Sequence, residues 1–376
     1  MGQKSVYFPN LNGLRFIAAF MVIIQHTEQF KAMLNLDNCF KTSPFIGVAG
    51  KLGVILFFVL SGFLISYLLF QEEKSNGKIE IRKFYIRRLL RIWPLYYLII
   101  LLAFFLFPEF GKLTFSRFGK ELIHDDISLK LGVYLLFFPN LIFSFSIFIP
   151  YASHLWSIGT EEQFYLLWPL LMKKLRNHKF LLLISVIVGY NFVRILLADN
   201  LLFDFPGQME IREYWAHFNI DCMAIGGLFA LLLFQNSRFL QILKSDLLFF
   251  TFLFLVICML GFGLYIPLLH NQIYAVLFGV IILNLASRKK MIISLENPVM
   301  NYLGKISYGL YMYHPVAIGL VMVFSFQTGW FNPLLIQALS LGVTVLIADL
   351  SFRFFESFFL RFKSRFTIIR SGQTDT

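Results

Sequence analysis

Charge is what this sequence has least of. Of its 376 residues only 14% are Asp, Glu, Lys or Arg, where a soluble domain carries about 25%. Cysteine is nearly absent. Cys39, Cys222 and Cys258 stand far apart, which excludes a disulfide scaffold, and no Cys or His spacing suits a metal. No internal repeat is strong enough for a transporter built from two halves. No Pro-, Gly- or Ser-rich linker divides the chain, so a single domain over 1–360 is expected, with 361–376 as a short basic tail.

What fills the sequence instead is apolar. Hydrophobic residues make up 58% and aromatics 18%, with 47 Phe. Apolar runs fall near 11–31, 46–70, 89–107, 131–147, 155–172, 180–198, 216–234, 247–267, 271–286, 298–325 and 333–360. Several exceed the ~18 residues that cross a bilayer. These runs exclude a soluble enzyme and a disordered chain, and predict an all-α polytopic membrane protein. The first run has no small-residue cleavage site behind it, so it is expected to direct insertion itself.

The net charge of +12 would suggest nucleic acid in a soluble protein. Here the basic residues lie between apolar runs, where the positive-inside rule puts them in the cytoplasm. Segments 71–91, 173–179, 287–290 and 361–370 are basic, whereas 199–214 holds Asp199, Asp204, Glu210 and Glu213. These signs agree only if one run fails to cross. The run 131–147 is short, and Pro139-Asn140 breaks it. We therefore expect ten transmembrane helices, a half-membrane or re-entrant 131–147, and both termini cytoplasmic. Backbone interrupted at that depth is tolerated where it lines a cavity.

Ionisable residues inside the runs are functional candidates by their cost, roughly 2.5–3.5 kcal/mol each. Arg15 and His26 share the first run, about 16 Å apart along a helix. The alternatives are a snorkelling anchor for Arg15 and a hydrogen-bonded buried imidazole for His26. Arg88 and Arg91 share one face at i and i+3, a pair of guanidinium forks suited to phosphate or to anionic lipid heads. Ser157, Glu161 and Tyr165 recur every fourth residue, with His154 a turn earlier. That face must look into a polar cavity. It would serve catalysis, an interhelical hydrogen-bond network or a proton-coupled transporter equally well. Asp221, Ser307, Tyr311 and His314 are further polar positions in apolar surroundings, with Pro315 expected to kink the helix beside His314.

Together these segments resemble a family, the acyltransferase-3 integral-membrane acyltransferases that O-acetylate bacterial surface polysaccharides. Leu11-Asn-Gly-Leu-Arg15 with His26 resembles its first-helix signature. Phe57-Phe-Val-Leu-Ser-Gly-Phe63, the Arg88/Arg91 pair, and Trp156-Ser-Ile-Gly-Thr-Glu-Glu-Gln-Phe-Tyr165 are similar to its next motifs. Ser307, Tyr311 and Tyr313-His-Pro315 follow, then Ser351-Phe-Arg-Phe-Phe-Glu356. Asn12 and Thr160 depart from the family pattern, as does Asn219 ahead of Asp221.

The resemblance implies an acyltransferase in the plasma (inner) membrane. It would move an acyl group, foremost acetyl, from cytosolic acyl-CoA to a hydroxyl of a glycan or lipid-linked sugar on the outer side, with no metal and no nucleic acid. It implies His26 as base, oriented by Glu161. Arg88 and Arg91 would hold the CoA phosphates, and Arg15 a phosphate or the oxyanion, to which Tyr311 or Tyr165 would donate. Some relatives add an extracytoplasmic hydrolase-like domain, which is not expected in a chain running 16 residues past its last apolar run. A lipid-linked-sugar transporter and a non-catalytic scaffold are the competing readings.

Overall fold

The computed structural model describes residues 5–110, 123, 125–198, 206–288 and 292–371. Helices occupy the predicted runs. In chain order they are α1 (Leu11–Met33), α2 (Pro44–Asn76), α3 (Ile81–Leu101), α4 (Ile127–Leu135), α5 (Pro139–Ser144), α6 (Trp156–Lys174), α7 (Lys179–Ala198), α8 (Gln208–Phe218), α9 (Ile220–Gln235) and α10 (Arg238–Leu243). The remainder are α11 (Asp246–Gly261), α12 (His270–Ser287), α13 (Pro298–Lys305), α14 (Ser307–Thr328), α15 (Pro333–Ser351) and α16 (Ser357–Lys363).

Seven helices among the described residues are long and apolar enough to cross a membrane, while α11 is apolar but shorter. Two more have the length but not the hydropathy, and they are α1 and α6. Their polar residues, which include Arg15, His26, Ser157 and Glu161, lower the apolar content. The two helices that fall short are thus among those with ionisable residues in their apolar runs.

One boundary differs from the sequence reading, and one expected break is found. The basic segment 71–91 is not a loop. Helix α2 runs on to Asn76 and α3 begins at Ile81, with Gly77 in the left-handed region (φ 71°) ending α2. The run 131–147 is broken as expected, between α4 and α5, with Phe137 at φ 62°. Pro315 lies inside α14, which continues through it from Ser307 to Thr328.

At the centre α2 packs between α1 and α9. Glycine permits the contact: a Cβ at Gly62 would sit 1.9 Å from the Met223 carbonyl oxygen, and one at Gly226 would sit 2.1 Å from that of Val59. Membrane helices approach closely through such small residues.

The two ends of the described chain meet. Ser5–Val6 pairs in parallel with Arg370–Ser371. Tyr7 bonds Glu296, and the Asn10 amide donates to the Leu285 carbonyl at 3.0 Å while its oxygen accepts from the Leu295 amide at 2.6 Å. Segment 361–371 is therefore built in. Helix α16 packs on α3, and Arg87 donates to the Phe366 carbonyl at 3.0 Å.

Candidate functional site

Two cavities lie on opposite sides of a thin polar layer. The first, about 110 Å³, is walled by α1, α2, α3, α6 and α14, and takes in Arg15, Ser61, Arg88, Arg91, Glu161 and Tyr165. Ser157, Glu161 and Tyr165 share one helical face, as their spacing requires, because residues four apart on a helix stack. Ser61 donates to Glu161 at 2.9 Å, and Tyr165 lies 2.9 Å from the Ser61 hydroxyl and 3.1 Å from the carboxylate. This closed triangle fixes the one carboxylate in the lining. Its neighbour Glu162 turns aside and accepts from the Trp93 indole at 2.9 Å.

Three guanidinium groups face that single carboxylate. Arg15, Arg88 and Arg91 make no hydrogen bond and no ion pair among the described residues. The Arg88 plane lies over Tyr165 at 5.2 Å and over Phe84 at 5.7 Å. Aromatic faces hold a guanidinium in place and leave its N–H fork unused. Lys363, from the segment read in sequence as a tail, lies within electrostatic reach of Arg91, Arg88, Arg15 and Arg87. A cavity so rich in unpaired cation is suited to a polyanion.

The layer above is made by Tyr311 and Ser157, whose hydroxyls are 2.6 Å apart. Tyr311 also donates to the His154 carbonyl at 3.0 Å. On the far side His26 Nδ1 lies 2.6 Å from His314 Nε2, and His314 Nδ1 lies 2.6 Å from the Tyr311 carbonyl oxygen. A carbonyl only accepts, so His314 Nδ1 carries the proton. A neutral imidazole then has its lone pair on Nε2, and His26 Nδ1–H donates to it. This chain leaves His26 Nε2 as the free acceptor.

His26 lines the second cavity, of about 140 Å³, together with His154, Gln29 and an aromatic wall. The geometry thus corrects the expected partnership. Glu161 does not orient His26, because Glu161 is tied to Ser61 and Tyr165 and lines the other cavity. His314 takes that place.

Asp221 lies in neither cavity. Fully buried, it accepts from Asn191 at 3.0 Å and from Gln272 at 2.7 Å, while Arg194 donates to Gln272 at 2.9 Å. It joins α7, α9 and α12. Ser307 lines the first cavity, where Tyr308 donates to the Ile92 carbonyl at 2.8 Å. Among the described residues no cluster of His, Cys, Asp or Glu suits a metal.

The family model described as an acyltransferase domain matches residues 8–353. The chain belongs to the acyltransferase-3 family. The match takes in every residue that lines the two cavities and stops short of Lys363. Among relatives, a Staphylococcus aureus (strain COL) protein named as a candidate O-acetyltransferase is 27% identical over 94% of this chain and 58% of its own length. The peptidoglycan O-acetyltransferase OatA of Listeria monocytogenes serovar 1/2a is 26% identical over 93% of this chain and 55% of its own. The chain spans little more than half the length of these relatives. No solved structure matches it.

Sequence reasoning left Ser61 without a role and read Lys363 as part of a tail. Ser61 stood inside a quoted motif, but nothing local to Phe57–Phe63 indicates that α6 will bring Glu161 to it. Lys363 carried no signal beyond positive charge.

Proposed function

We propose that this chain is a multi-pass membrane O-acyltransferase of the plasma (inner) membrane. It takes an acyl group, foremost acetyl, from acyl-CoA in the first cavity and delivers it to a glycan hydroxyl in the second. The observation that carries this reading is the pair of cavities meeting at one layer, with unpaired guanidiniums on one side and a base with a free lone pair on the other. The names of the relatives support O-acetyl transfer, and that of the Listeria protein supports a cell-wall glycan as acceptor.

In this reading Arg88 and Arg91 grip the CoA phosphates and Arg15 steadies the thioester end. His26 Nε2 takes the proton of the acceptor hydroxyl as the oxygen attacks the thioester carbonyl. Charge developing on the carbonyl oxygen draws the Tyr311 proton away from the His154 carbonyl, while the Ser157 hydroxyl donates to the Tyr311 oxygen. The tetrahedral adduct collapses with loss of the CoA thiolate, which takes the proton from His26. Transfer through an acylated His26 uses the same groups and differs in its ping-pong kinetics. The direct test is the purified protein in nanodiscs with radiolabelled acetyl-CoA and a saccharide acceptor. Label in the saccharide supports the reading. Saccharide movement across a vesicle membrane without acyl-CoA would favour a transporter instead.

The donor would enter from the cytoplasm, on the face where Ser5–Val6 pairs with Arg370–Ser371. Reporter fusions after Lys179 and Lys290 should therefore read as cytoplasmic, and one near Asp204 as external; Lys290 and Asp204 lie outside the described residues. A cytoplasmic signal at Asp204 would overturn ten spans with a re-entrant 131–147.

The arginine pair separates a phosphate clamp from a lipid-head anchor. Lysine keeps the charge but loses the fork. Arg88→Lys/Arg91→Lys should insert normally yet weaken acyl-CoA binding by about 1–3 kcal/mol, the range of a charged hydrogen bond. Acceptor KM should stay unchanged, since the second cavity lies across the Tyr311 layer. Wild-type acyl-CoA affinity in this variant would remove the clamp.

A further inference from the structure

The second cavity contains an unexplained group. His154 is only 5% exposed, and neither of its ring nitrogens makes a hydrogen bond. The Met312 backbone is beside it but is not aligned for one. A buried imidazole without partners is destabilising, so the site is incomplete until something bonds it. Its ring centroid lies 5.1 Å from that of His314, which in turn lies 4.9 Å from that of His26. His154 and His26 line the same cavity.

Aromatic rings make up much of the wall. Phe30, Phe143, Phe148 and Trp156 surround the space, with Phe143 stacked on Trp156 at 5.8 Å and 24°. The polar side chains that face it without a partner, His26 Nε2, His154 and Gln29, come from one turn of α1 and the residue pair before α6. Flat apolar walls with a convergent set of hydrogen-bonding groups define a site for a ligand that is apolar on its faces and polar along one edge. A lipid alcohol has one hydroxyl and would leave His154 unpaired. A sugar ring presents C–H faces and adjacent hydroxyls, each both donor and acceptor, which matches a neutral imidazole with one of each.

We propose that this cavity binds the acceptor as a sugar ring carrying two neighbouring hydroxyls, one bonded to His26 and acylated, the other bonded to His154. His154 is then a specificity residue: it selects acceptors by the hydroxyl next to the one that reacts. The inference rests on the acyl-transfer reading above.

The test uses the nanodisc protein with acetyl-CoA and a panel of methyl glycosides, the glucoside, galactoside and N-acetylglucosaminide, with the mono-deoxy analogues of whichever is acylated best. Wild type should lose at least tenfold in kcat/KM when the hydroxyl adjacent to the acylated one is removed. His154→Phe, which keeps the ring volume, should raise acceptor KM about tenfold, leave acetyl-CoA KM unchanged and abolish the discrimination against the deoxy sugar. Gln29→Leu, at the cavity rim, should raise acceptor KM with the discrimination intact. Equal discrimination in wild type and His154→Phe would overturn the assignment of His154, and so would a wild type indifferent to the neighbouring hydroxyl. Neither result would touch the acyl-transfer reading. Transfer to no saccharide at all would overturn that reading and this inference with it. If His154→Phe fails to bind acetyl-CoA, and so has not folded, His154→Gln decides by the same deoxy comparison.

Discussion

His26→Ala should eliminate transfer while the protein still folds and binds acyl-CoA. The expected loss in kcat is at least two to four orders of magnitude, the usual worth of a positioned base, and larger if the imidazole also carries the acyl group. Donor affinity should hold because the cationic cavity is built from Arg15, Arg88 and Arg91, on the other side of the Ser157–Tyr311 layer from His26. Equilibrium binding of acyl-CoA and single-turnover transfer measure the two halves separately. Folded protein that binds acyl-CoA and transfers it at wild-type rate without His26 would move the base to His154, the other imidazole of the second cavity. Loss of binding together with transfer would mean that the two cavities are not independent, and the division of labour drawn from them would fall.

Much of this site is legible in the residues themselves. Isolated charge in apolar runs is expensive, so Arg15, His26, Arg88, Arg91 and Glu161 stood out against their background, and helical periodicity put Ser157, Glu161 and Tyr165 on one face. These are local properties. What the sequence could not convey was which face meets which. Glu161 and His26 looked like a base and its orienter because a carboxylate commonly fills that role. The separation of the two is a matter of depth: the turn Ser153–Leu155 ahead of α6 puts His154 in the cavity of His26, and Glu161 follows about two helical turns further along α6. The partner of His26 came instead from α14, 288 positions away. Asp221 failed for a related reason. Burial of a charge signals cost, and that cost is met as well by Asn191 and Gln272 as by a substrate. The fold was legible at the level of runs and not of edges, since Gly77 turns the chain in four residues where charge alone suggested a long loop.

The decisive residue is therefore His314, and its replacement should cost nearly as much as loss of the base. His314 donates from Nδ1 to the Tyr311 carbonyl and accepts at Nε2 from His26 Nδ1–H. Two consequences follow. The His26 tautomer is fixed with its lone pair on Nε2, toward the second cavity. When Nε2 takes the acceptor's proton, the imidazolium still has an acceptor for its Nδ1–H. His314→Leu removes both, leaving His26 free to adopt the wrong tautomer and its cation without support. In a serine protease, loss of the group that fixes the tautomer lowers kcat about 10⁴-fold. His314 is neutral rather than anionic, so a loss of roughly 10²–10³-fold in kcat is expected here, with donor KM unchanged. Glutamine reaches about as far as Nε2 and offers an oxygen that accepts, so His314→Gln should recover part of the rate. A purely structural His314 would make leucine and glutamine equally damaging, and to donor binding as much as to turnover. Glu161→Gln provides the counter-test: it keeps the size of the side chain and an oxygen that accepts from Ser61, but removes the one negative charge that faces three guanidiniums, so it should alter donor KM before it alters the step at His26.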